Sequence, residues 1–307
     1  MREMADSDTG QGDSSTMHSH EDQSDQLDAF PNRKARPLLF PRTNPSVSTP
    51  KEAMDEAESL AYNLDKKTFP EKPLFVLINN ENFLRKTGMN KRSGTVKDAR
   101  NLMQCFTALG FKTDVKQNLT CREMYEYMYS VSKQDHSKRP CFMCAILSHG
   151  EKDLIYGIDD TMDFKQLSSC FRGDVCKSLV GKPKIFIVQA CRGQEFDDGI
   201  QTDAVSQSNN SVPTIPVEAD FLYCYSTVLG YYSWRNPERG SWFVQALTEV
   251  LNDKGTELEI MRLLTKVNHK VALEFESLSD DQFLSGKKQI PCIMSMLTKE
   301  FYFKYLC

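Results

Sequence analysis

Apolar and polar positions along the chain predict buried strands that alternate with helices. Runs of apolar residues predict six strands and one short hairpin arm, over Leu74–Asn79, Phe111–Val115, Cys141–Leu147, Lys184–Val188, Phe221–Ser226, Ile293–Leu297 and, for the arm, Leu154–Gly157. Helical spacing of apolar positions predicts helices over 96–109, 121–131, 164–171, 241–251 and 258–275. Strands that are apolar along their whole length belong to mainly parallel sheets covered on both faces.

Two residues with nucleophilic chemistry follow predicted strands. Cys191 lies in the pentapeptide QACRG, directly after the strand that ends at Val188, and His149 follows the strand that ends at Leu147. In open parallel sheets, ligands bind outside the carboxyl ends of the strands. A cysteine and a histidine placed there are the parts of a thiolate nucleophile and its proton carrier.

Gly150, which follows His149, suggests where a reaction intermediate would be stabilised. The backbone N–H groups of Gly150 and Cys191 are candidates for an oxyanion hole, and glycine allows a close approach. Taken alone, Cys191 would be a buried structural thiol and His149 a hydrogen-bonded loop histidine. Their joint position at two strand ends favours the catalytic interpretation.

Composition narrows the class of protein. The chain has 307 residues, 40% hydrophobic and 26% charged, and a net charge of −4, which gives no case for a nucleic-acid partner. No apolar run approaches the roughly 18 residues of a membrane span. The N-terminus lacks the apolar region of a signal peptide, so the ten cysteines are expected to be reduced thiols in the cytoplasm. Cys141 and Cys144 form a lone CxxC within an apolar run, which favours packing over zinc, and no metal or cofactor is expected.

Three polar segments lie outside the predicted strands and helices. Residues 1–30 carry eight acidic groups and one arginine, so we expect them to be disordered. The next segment is basic, with Arg33, Lys34, Arg36 and Arg42. A solvated spacer is the favoured interpretation, with a docking patch or a nuclear-import signal as the alternative. Residues 195–214 are polar and without periodicity, which predicts an exposed loop open to proteolysis.

Eight short motifs, in order, carry a resemblance to a known family. They are Arg92–Thr95 (RSGT), Leu147–Glu151 (LSHGE), Phe171–Asp174 (FRGD), Gln189–Gly193 (QACRG), Ile215–Phe221 (IPVEADF), Gly230–Arg235 (GYYSWR), Arg239–Phe243 (RGSWF) and Lys288–Cys292 (KQIPC). With them the chain resembles the executioner members of the caspase family over nearly everything after residue 70. Within that group, the residues Asp197–Gln201 and Arg239–Gln245 resemble the caspase-seven type more closely.

The resemblance implies a fold and a specificity. The fold is a three-layer, caspase-like α/β fold, with a central six-stranded, mainly parallel sheet and helices on both faces. The activity is cleavage of proteins after aspartate, at DEVD-like sites, in apoptosis. Arg92, Gln189 and Arg235 would line the pocket for the substrate aspartate, and two guanidiniums suit one carboxylate.

The same resemblance implies contacts with the rest of the substrate. Ser233 and Arg235 would pair with an extended substrate through their backbones. Tyr232 and Trp234 would wall the pocket for the second residue. Asn236 and Trp242 would form the pocket for the fourth residue, with core packing as the alternative for Trp242.

Activation follows from the implied specificity. A cut after Asp203 would divide a large subunit, 71–203, from a small subunit, 204–307, and a cut after Asp28 would release the acidic peptide. Residues 1–70 would be a disordered prodomain and spacer. The family implies a homodimer with the strand over 293–297 near the two-fold axis, upstream initiator caspases, and inhibitor-of-apoptosis proteins as partners. The expected location is the cytoplasm, with entry into the nucleus after activation as an open possibility.

Three positions depart from the family pattern. Val96 stands where an acidic residue is usual, Leu229 where proline is usual, and Phe283 lies one position before the expected aromatic, whose place Leu284 takes. These differences bear on fine preference. Two other functions stay open from the sequence: a scaffold that only binds partners, and a redox sensor that uses Cys191 as a sulfenate-forming thiol. The two arginines argue against both.

Overall fold

A computed structural model describes residues 60–193, 216–277 and 286–306, and its centre is a six-stranded sheet. The six strands are β1 (Leu74–Asn79), β2 (Lys112–Gln117), β3 (Phe142–Leu147), β7 (Lys184–Gln189), β8 (Phe221–Tyr225) and β11 (Cys292–Ser295). Their order is β11-β8-β7-β3-β1-β2, and of these six only β11 runs antiparallel to its neighbour. The predicted six-stranded, mainly parallel sheet is confirmed.

Helices cover both faces of this sheet. They are α1 (Thr95–Ala108), α2 (Cys121–Ser132), α3 (Phe164–Ser168), α4 (Trp242–Lys254) and α5 (Ile260–Glu274). Side chains of α1, α4 and α5 share one hydrophobic cluster with the sheet, and those of α2 and α3 share a second cluster. Short 3-10 helices cover Arg85–Thr87, Ser169–Phe171, Lys177–Leu179 and Phe303–Tyr305. The three-layer arrangement predicted from the sequence is therefore present.

The alternation of side chains along each strand explains why the central strands are apolar throughout. In β1, Phe75 and Leu77 belong to the cluster of α1, while Leu74, Val76 and Ile78 belong to the cluster of α2. All six residues of β1 are buried. Since successive side chains point to opposite faces, a strand covered on both faces has no position left for an exposed polar residue.

Two small sheets form within the connections of the central sheet. β4 (Gly150–Glu151), β5 (Leu154–Tyr156) and β6 (Thr161–Asp163) form one antiparallel sheet, of which the predicted hairpin arm is the middle strand. β9 (Arg235–Asn236) and β10 (Gly240–Ser241) form a second, two-stranded sheet that the sequence pattern did not predict. Strands of two residues are too short for an apolar alternation to show.

The predicted helix boundaries lie within three residues of the observed ones, and two of the starts, at residues 121 and 164, agree. Thr120 caps the start of α2, because its hydroxyl accepts a hydrogen bond from the Glu123 backbone N–H at 3.2 Å. The Glu123 carboxylate in turn accepts from the Thr120 backbone N–H at 2.8 Å. This reciprocal pair satisfies two N–H groups that a helix leaves without partners.

Residues 60–69 pack against the core, so the folded part begins before the boundary predicted at residue 70. Tyr62 and Leu64 are buried, and the Tyr62 backbone N–H donates to the Glu300 carbonyl at 2.9 Å. The Tyr62 hydroxyl donates to Asp220 at 2.7 Å, and Asp220 also accepts from the Thr298 hydroxyl at 2.6 Å. These bonds join the first described residues to β8 and to the end of the chain.

Several predictions fall outside the described residues. They concern the acidic segment, the basic segment, the loop over 195–214, Asp28 and Asp203. Within the ranges that the structure describes, no helix is long and apolar enough to cross a bilayer.

Replacing Tyr62 by phenylalanine should lower the free energy of unfolding by about 1.5–3 kcal/mol, the usual range for a hydrogen bond to a charged group. The change keeps the ring and removes the hydroxyl that donates to Asp220 and accepts from the Thr298 N–H at 3.0 Å. Urea unfolding measures the effect. Tyr129→Phe is the control, because Tyr129 is 44% exposed. Equal stability of the two variants would show that the Tyr62 hydroxyl contributes nothing.

Candidate active site

The register of two neighbouring strands brings Cys191 and His149 to the same edge of the sheet. β3 ends at Leu147 and β7 ends at Gln189, and these two residues lie directly opposite each other in the parallel pair. Beyond them, the Ser148 backbone N–H still donates to the Gln189 carbonyl at 3.2 Å. Both side chains then line one cleft of about 450 Å³. The juxtaposition predicted from two strand ends is thus observed.

His149 is held as a neutral imidazole. Its Nε2 lies 2.8 Å from the Asn90 carbonyl oxygen, and the Phe83 ring packs beside it at 4.8 Å between centroids. The pKa of His149 is lowered to about 4, mainly by burial; the bond to Asn90 opposes this shift, and the charges of Arg92 and Arg235 add to it. Because a carbonyl oxygen only accepts, Nε2 carries the proton and Nδ1 is left as the basic nitrogen.

Cys191 is a thiol at neutral pH in this state of the chain. Burial raises its pKa, while the Ser233 backbone N–H and the charges of Arg92 and Arg235 oppose the rise. A thiol beside a neutral imidazole is not a preformed ion pair. The arrangement therefore suits proton transfer to His149 while the sulfur attacks, rather than a standing thiolate.

Gly150 lies against the backbone of Cys191. A Cβ added at Gly150 would be 2.6 Å from the Cys191 carbonyl oxygen and 2.9 Å from the Ala190 Cβ, so no larger residue fits. The sequence led us to explain this glycine by the approach of a substrate. The structure adds a nearer reason, which is that the two segments carrying His149 and Cys191 touch here.

Two arginines enter the cleft from different parts of the chain. Arg92 is 1% exposed, and its Nη1 donates to the Asn80 carbonyl at 3.1 Å and to the Thr95 hydroxyl at 2.8 Å. Its Nε and Nη2 are buried and have no hydrogen-bond partner among the residues that the structure describes. Arg235 donates from Nε to the Ser93 carbonyl at 2.8 Å. Buried N–H groups without acceptors cost about 1–3 kcal/mol each, so the two donors of Arg92 suit an acceptor that enters the cleft.

Gln189 completes the three predicted pocket residues. Its Nε2 donates to the Ser233 hydroxyl at 2.7 Å, and its buried Oε1 has no partner. Gln189, Arg92 and Arg235 all line the cleft that also holds Cys191 and His149. The structure therefore brings together the residues that the family resemblance assigned to the aspartate pocket.

The segment expected to pair with substrate covers the nucleophile. The Ser233 backbone N–H donates to the Cys191 sulfur at 3.4 Å. The Trp234 backbone N–H donates to the Gln289 Oε1 at 2.7 Å, and the Gln289 Nε2 donates to the Ser226 carbonyl at 2.7 Å. Ser233 must turn away from the sulfur before its backbone can pair with a substrate.

The residues predicted for the outer pockets form two neighbouring groups. Tyr232 and Trp234 line the inner cleft, and Trp234 also lines an outer cleft with Asn236 and Trp242. The Trp242 ring stacks on Trp234 at 5.7 Å and on Phe275 at 5.6 Å between centroids. Trp242 is 7% exposed, so it packs in the interior and also presents an edge to the outer cleft.

Two of the departures from the family pattern lie on the surface. Val96 is 41% exposed and Leu229 is 44% exposed, and neither lines the inner cleft. Phe283 and Leu284 lie outside the described residues.

The sequence did not reveal every residue of the site. Asn90 acts through its backbone carbonyl, and Gln289 acts through a contact 55 residues away in the chain. Neither contact can be predicted from the type of the residue or from its spacing to other residues in the sequence. Among the described residues no group of three or more His, Cys, Asp and Glu side chains could hold a metal. Cys141 and Cys144 belong to the clusters on opposite faces of the sheet, so they cannot share an ion.

Comparisons with known proteins agree with this geometry. A family model described as "Caspase domain" matches residues 73–302. Caspase-3 of Bos taurus is 54% identical over 253 residues, which cover 82% of this chain and 91% of that protein. Caspase-7 of Gallus gallus is 49% identical over 304 residues, which cover 94% of this chain and 97% of that protein.

Alkylation of Cys191 by iodoacetamide should rise with pH through a midpoint above the value of about 8.5 for a free cysteine. The reason is that burial raises the pKa of this thiol. Mass spectrometry of the Cys191 peptide from the intact chain measures the rate, and Cys191→Ala identifies the signal. A midpoint below 8 would mean that a thiolate is already stabilised at neutral pH.

Proposed function

This chain belongs to the caspase family and is an apoptotic cysteine protease that cleaves proteins after aspartate; we propose that Cys191 is its nucleophile and His149 its proton carrier. The observation that carries the proposal is the shared cleft. It joins a thiol, a neutral imidazole whose Nδ1 is the basic nitrogen, and two guanidiniums, of which the buried one, Arg92, has two donors with no acceptor among the described residues.

The first half of the reaction forms a thioester. The Cys191 sulfur attacks the backbone carbonyl carbon of the substrate aspartate, and the thiol proton passes to His149 Nδ1. The backbone N–H groups of Gly150 and Cys191 would stabilise the oxyanion. The C–N bond then breaks, and the imidazolium returns the proton to the leaving amine.

The second half returns the enzyme. Water attacks the thioester carbonyl while His149 takes a proton from it, the C–S bond breaks, and the sulfur regains a proton from the imidazolium. The product is a peptide that ends in aspartate. The bond from His149 Nε2 to the Asn90 carbonyl keeps the same ring nitrogen facing the reaction throughout.

Aspartate specificity would come from the charge of the pocket. A substrate carboxylate would supply the missing acceptor to Arg92 and a further one to Arg235, and the Gln189 amide would add a donor after leaving Ser233. Charge-assisted bonds of this kind are roughly twice as strong as neutral ones. An uncharged side chain would leave the donors of Arg92 without an acceptor and the positive charge of the pocket uncompensated, which sites of this kind reject by about 10⁴-fold or more.

The proposal extends to the outer contacts. The backbones of Ser233 and Arg235 would add the substrate as an extended strand. Tyr232 and Trp234 would contact its second residue, and Asn236 and Trp242 its fourth. The stacked rings of Trp234, Trp242 and Phe275 support an apolar wall on that side.

Activation is proposed to follow from cleavage after Asp203, with Asp28 as the site that releases the acidic peptide. Zymogens of this kind and dimeric assembly are typical of the family. In the intact chain the contact between Ser233 and the Cys191 sulfur supports a site that is not yet open. β11 supports a homodimer face, because it ends the sheet with half-buried and exposed side chains and Met294 is 47% exposed.

Partners and location are proposed from the family alone. Initiator caspases would make the first cut, and inhibitor-of-apoptosis proteins would block the cleft. The enzyme would act in the cytoplasm, and in the nucleus after activation if the basic segment serves import.

A fluorogenic Asp-Glu-Val-Asp peptide tests the proposal directly. Protein cut after Asp203 should hydrolyse it, and Cys191→Ala should show no turnover above background, because it lacks the attacking sulfur. Asp203→Ala should stay uncut and nearly inactive. Full activity of uncut Asp203→Ala would remove Asp203 from the activation scheme, and turnover by Cys191→Ala would remove Cys191 from the chemistry.

Arg235→Lys should lower kcat/KM for the same peptide by roughly 10²-fold, because lysine offers a point charge in place of the planar donors that match a carboxylate. The matched control is Arg122→Lys, since Arg122 pairs with Glu126 on the exposed face of α2. Steady-state kinetics measure both variants. An Arg235→Lys enzyme within threefold of the unmodified one would contradict the assigned pocket.

A further inference from the structure

Asp98 is a buried carboxylate on α1 that the reaction described above does not use. It is 0% exposed, and it lies one helical turn after Thr95, whose hydroxyl accepts from Arg92. Both of its oxygens accept from the Ser241 backbone N–H, at 2.9 and 3.1 Å. A buried carboxylate is costly unless hydrogen bonds and opposite charges compensate it, so its partners indicate its role.

The Ser241 N–H belongs to the hairpin that carries Arg235. In the antiparallel pair of β9 and β10, Ser241 lies directly opposite Arg235. Several contacts join the hairpin to the segment around Arg92. Arg235 Nε donates to the Ser93 carbonyl, Lys97 Nζ donates to the Glu238 carbonyl, and the Ser241 N–H donates to Asp98, which is the one of these three partners that is fully buried.

The residue before Ser241 shows how closely Asp98 fits this hairpin. Gly240 has φ +93°, and a Cβ built on it would be 2.2 Å from the Asp98 carboxylate oxygen. A side chain at Gly240 would be strained by its backbone conformation and would displace Asp98 as well. The glycine of the RGSWF motif is therefore explained by the carboxylate that lies against it.

The charge of Asp98 acts on the two pocket arginines. Burial and, to a smaller extent, the charge of Arg235 lower the pKa of Arg92, the charge of Asp98 opposes both, and the resulting pKa is about 9. Asp98 likewise raises the pKa of Arg235 against the effect of burial. Two positive charges and one negative charge leave a single positive charge, which matches one carboxylate of the substrate.

We propose that Asp98 is a positioning residue for the aspartate pocket: it holds the Arg235 hairpin against the Arg92 segment and offsets part of the repulsion between the two guanidiniums. This inference rests on the proposed function. After a cut at Asp203, Asp98 and Arg92 would belong to one piece, and Ser241 and Arg235 to the other. Asp98 would then set the geometry of the pocket across the two pieces.

Asp98→Asn tests the inference, because it keeps the shape and one acceptor oxygen but removes the charge. The amide NH2 would face the Ser241 N–H, and the two guanidiniums would repel each other more strongly. Both effects move Arg235 away from Arg92. We expect KM for the Asp-Glu-Val-Asp peptide to rise at least tenfold, with kcat within about threefold, since Asp98 contacts neither Cys191 nor His149.

Glu259→Gln is the matched control. Glu259 is another buried carboxylate that accepts backbone N–H bonds, from Met261 at 2.7 Å and Phe301 at 3.4 Å, and it caps the N-terminus of α5. The Glu259→Gln variant should be less stable in urea unfolding and keep KM within about twofold. If Asp98→Asn behaves in the same way, Asp98 has only a structural role and the inference is wrong.

A second variant covers the case in which Asp98→Asn does not fold. Gly240→Ala keeps the carboxylate of Asp98 but places a methyl group against it, which forces Asp98 and the hairpin apart, so it should also raise KM and spare kcat. An unchanged KM in Gly240→Ala would overturn the inference. So would a lower KM in Asp98→Asn, because it would show a pocket of unchanged geometry that binds a carboxylate better without the opposing charge.

Turnover by the unmodified enzyme is measured first, because it distinguishes a failure of the proposed function from a failure of this inference. Absence of turnover would overturn the roles of Cys191 and His149, and Asp98 would have no pocket to position. Normal turnover with an unchanged KM in Asp98→Asn would overturn only the role of Asp98.

Discussion

Repulsion between two guanidinium groups, that of the buried Arg92 and that of the half-buried Arg235, is the constraint on which this site depends. Arg92 and Arg235 lie in one pocket, and burial and the charge of Arg235 lower the pKa of Arg92. Such a pair is stable only where hydrogen bonds and an opposite charge compensate it. The Asn80 carbonyl, the Thr95 hydroxyl, the Ser93 carbonyl and the charge of Asp98 do so, and they come from the loops and the helix beside the sheet edge.

The same charges act, together with burial, on the proposed catalytic pair. Burial is the main cause that lowers the pKa of His149 and raises that of Cys191; the two arginines lower the pKa of His149 further and oppose the rise for Cys191. In the proposed reaction a substrate carboxylate would compensate these charges, so its arrival would favour the imidazolium that forms as sulfur attacks. Recognition of aspartate and proton transfer would then be coupled through the field of one pair of side chains.

The sequence was sufficient for the sheet, because strands covered on both faces must be apolar along their length, as in β1 and β3. It also placed Cys191 and His149 together, since both follow neighbouring strand ends. It could not place Asn90, which acts through a backbone carbonyl, or the hairpin of β9 and β10, whose strands have two residues each. Asp98 looked like any charged position of a helix, because its burial depends on a hairpin more than 130 residues away.

The pairing of β7 with β8 has a consequence for the enzyme once it is cut. Five registered residue pairs join these strands inside the sheet, and the proposed cut after Asp203 would fall between them in the chain. The two pieces would then share both hydrophobic clusters and unfold together, but unfolding would also separate them. A one-molecule equilibrium would become a dissociation, so the thermal midpoint of the cut enzyme would shift with its concentration, whereas the midpoint of folding within each uncut chain would not.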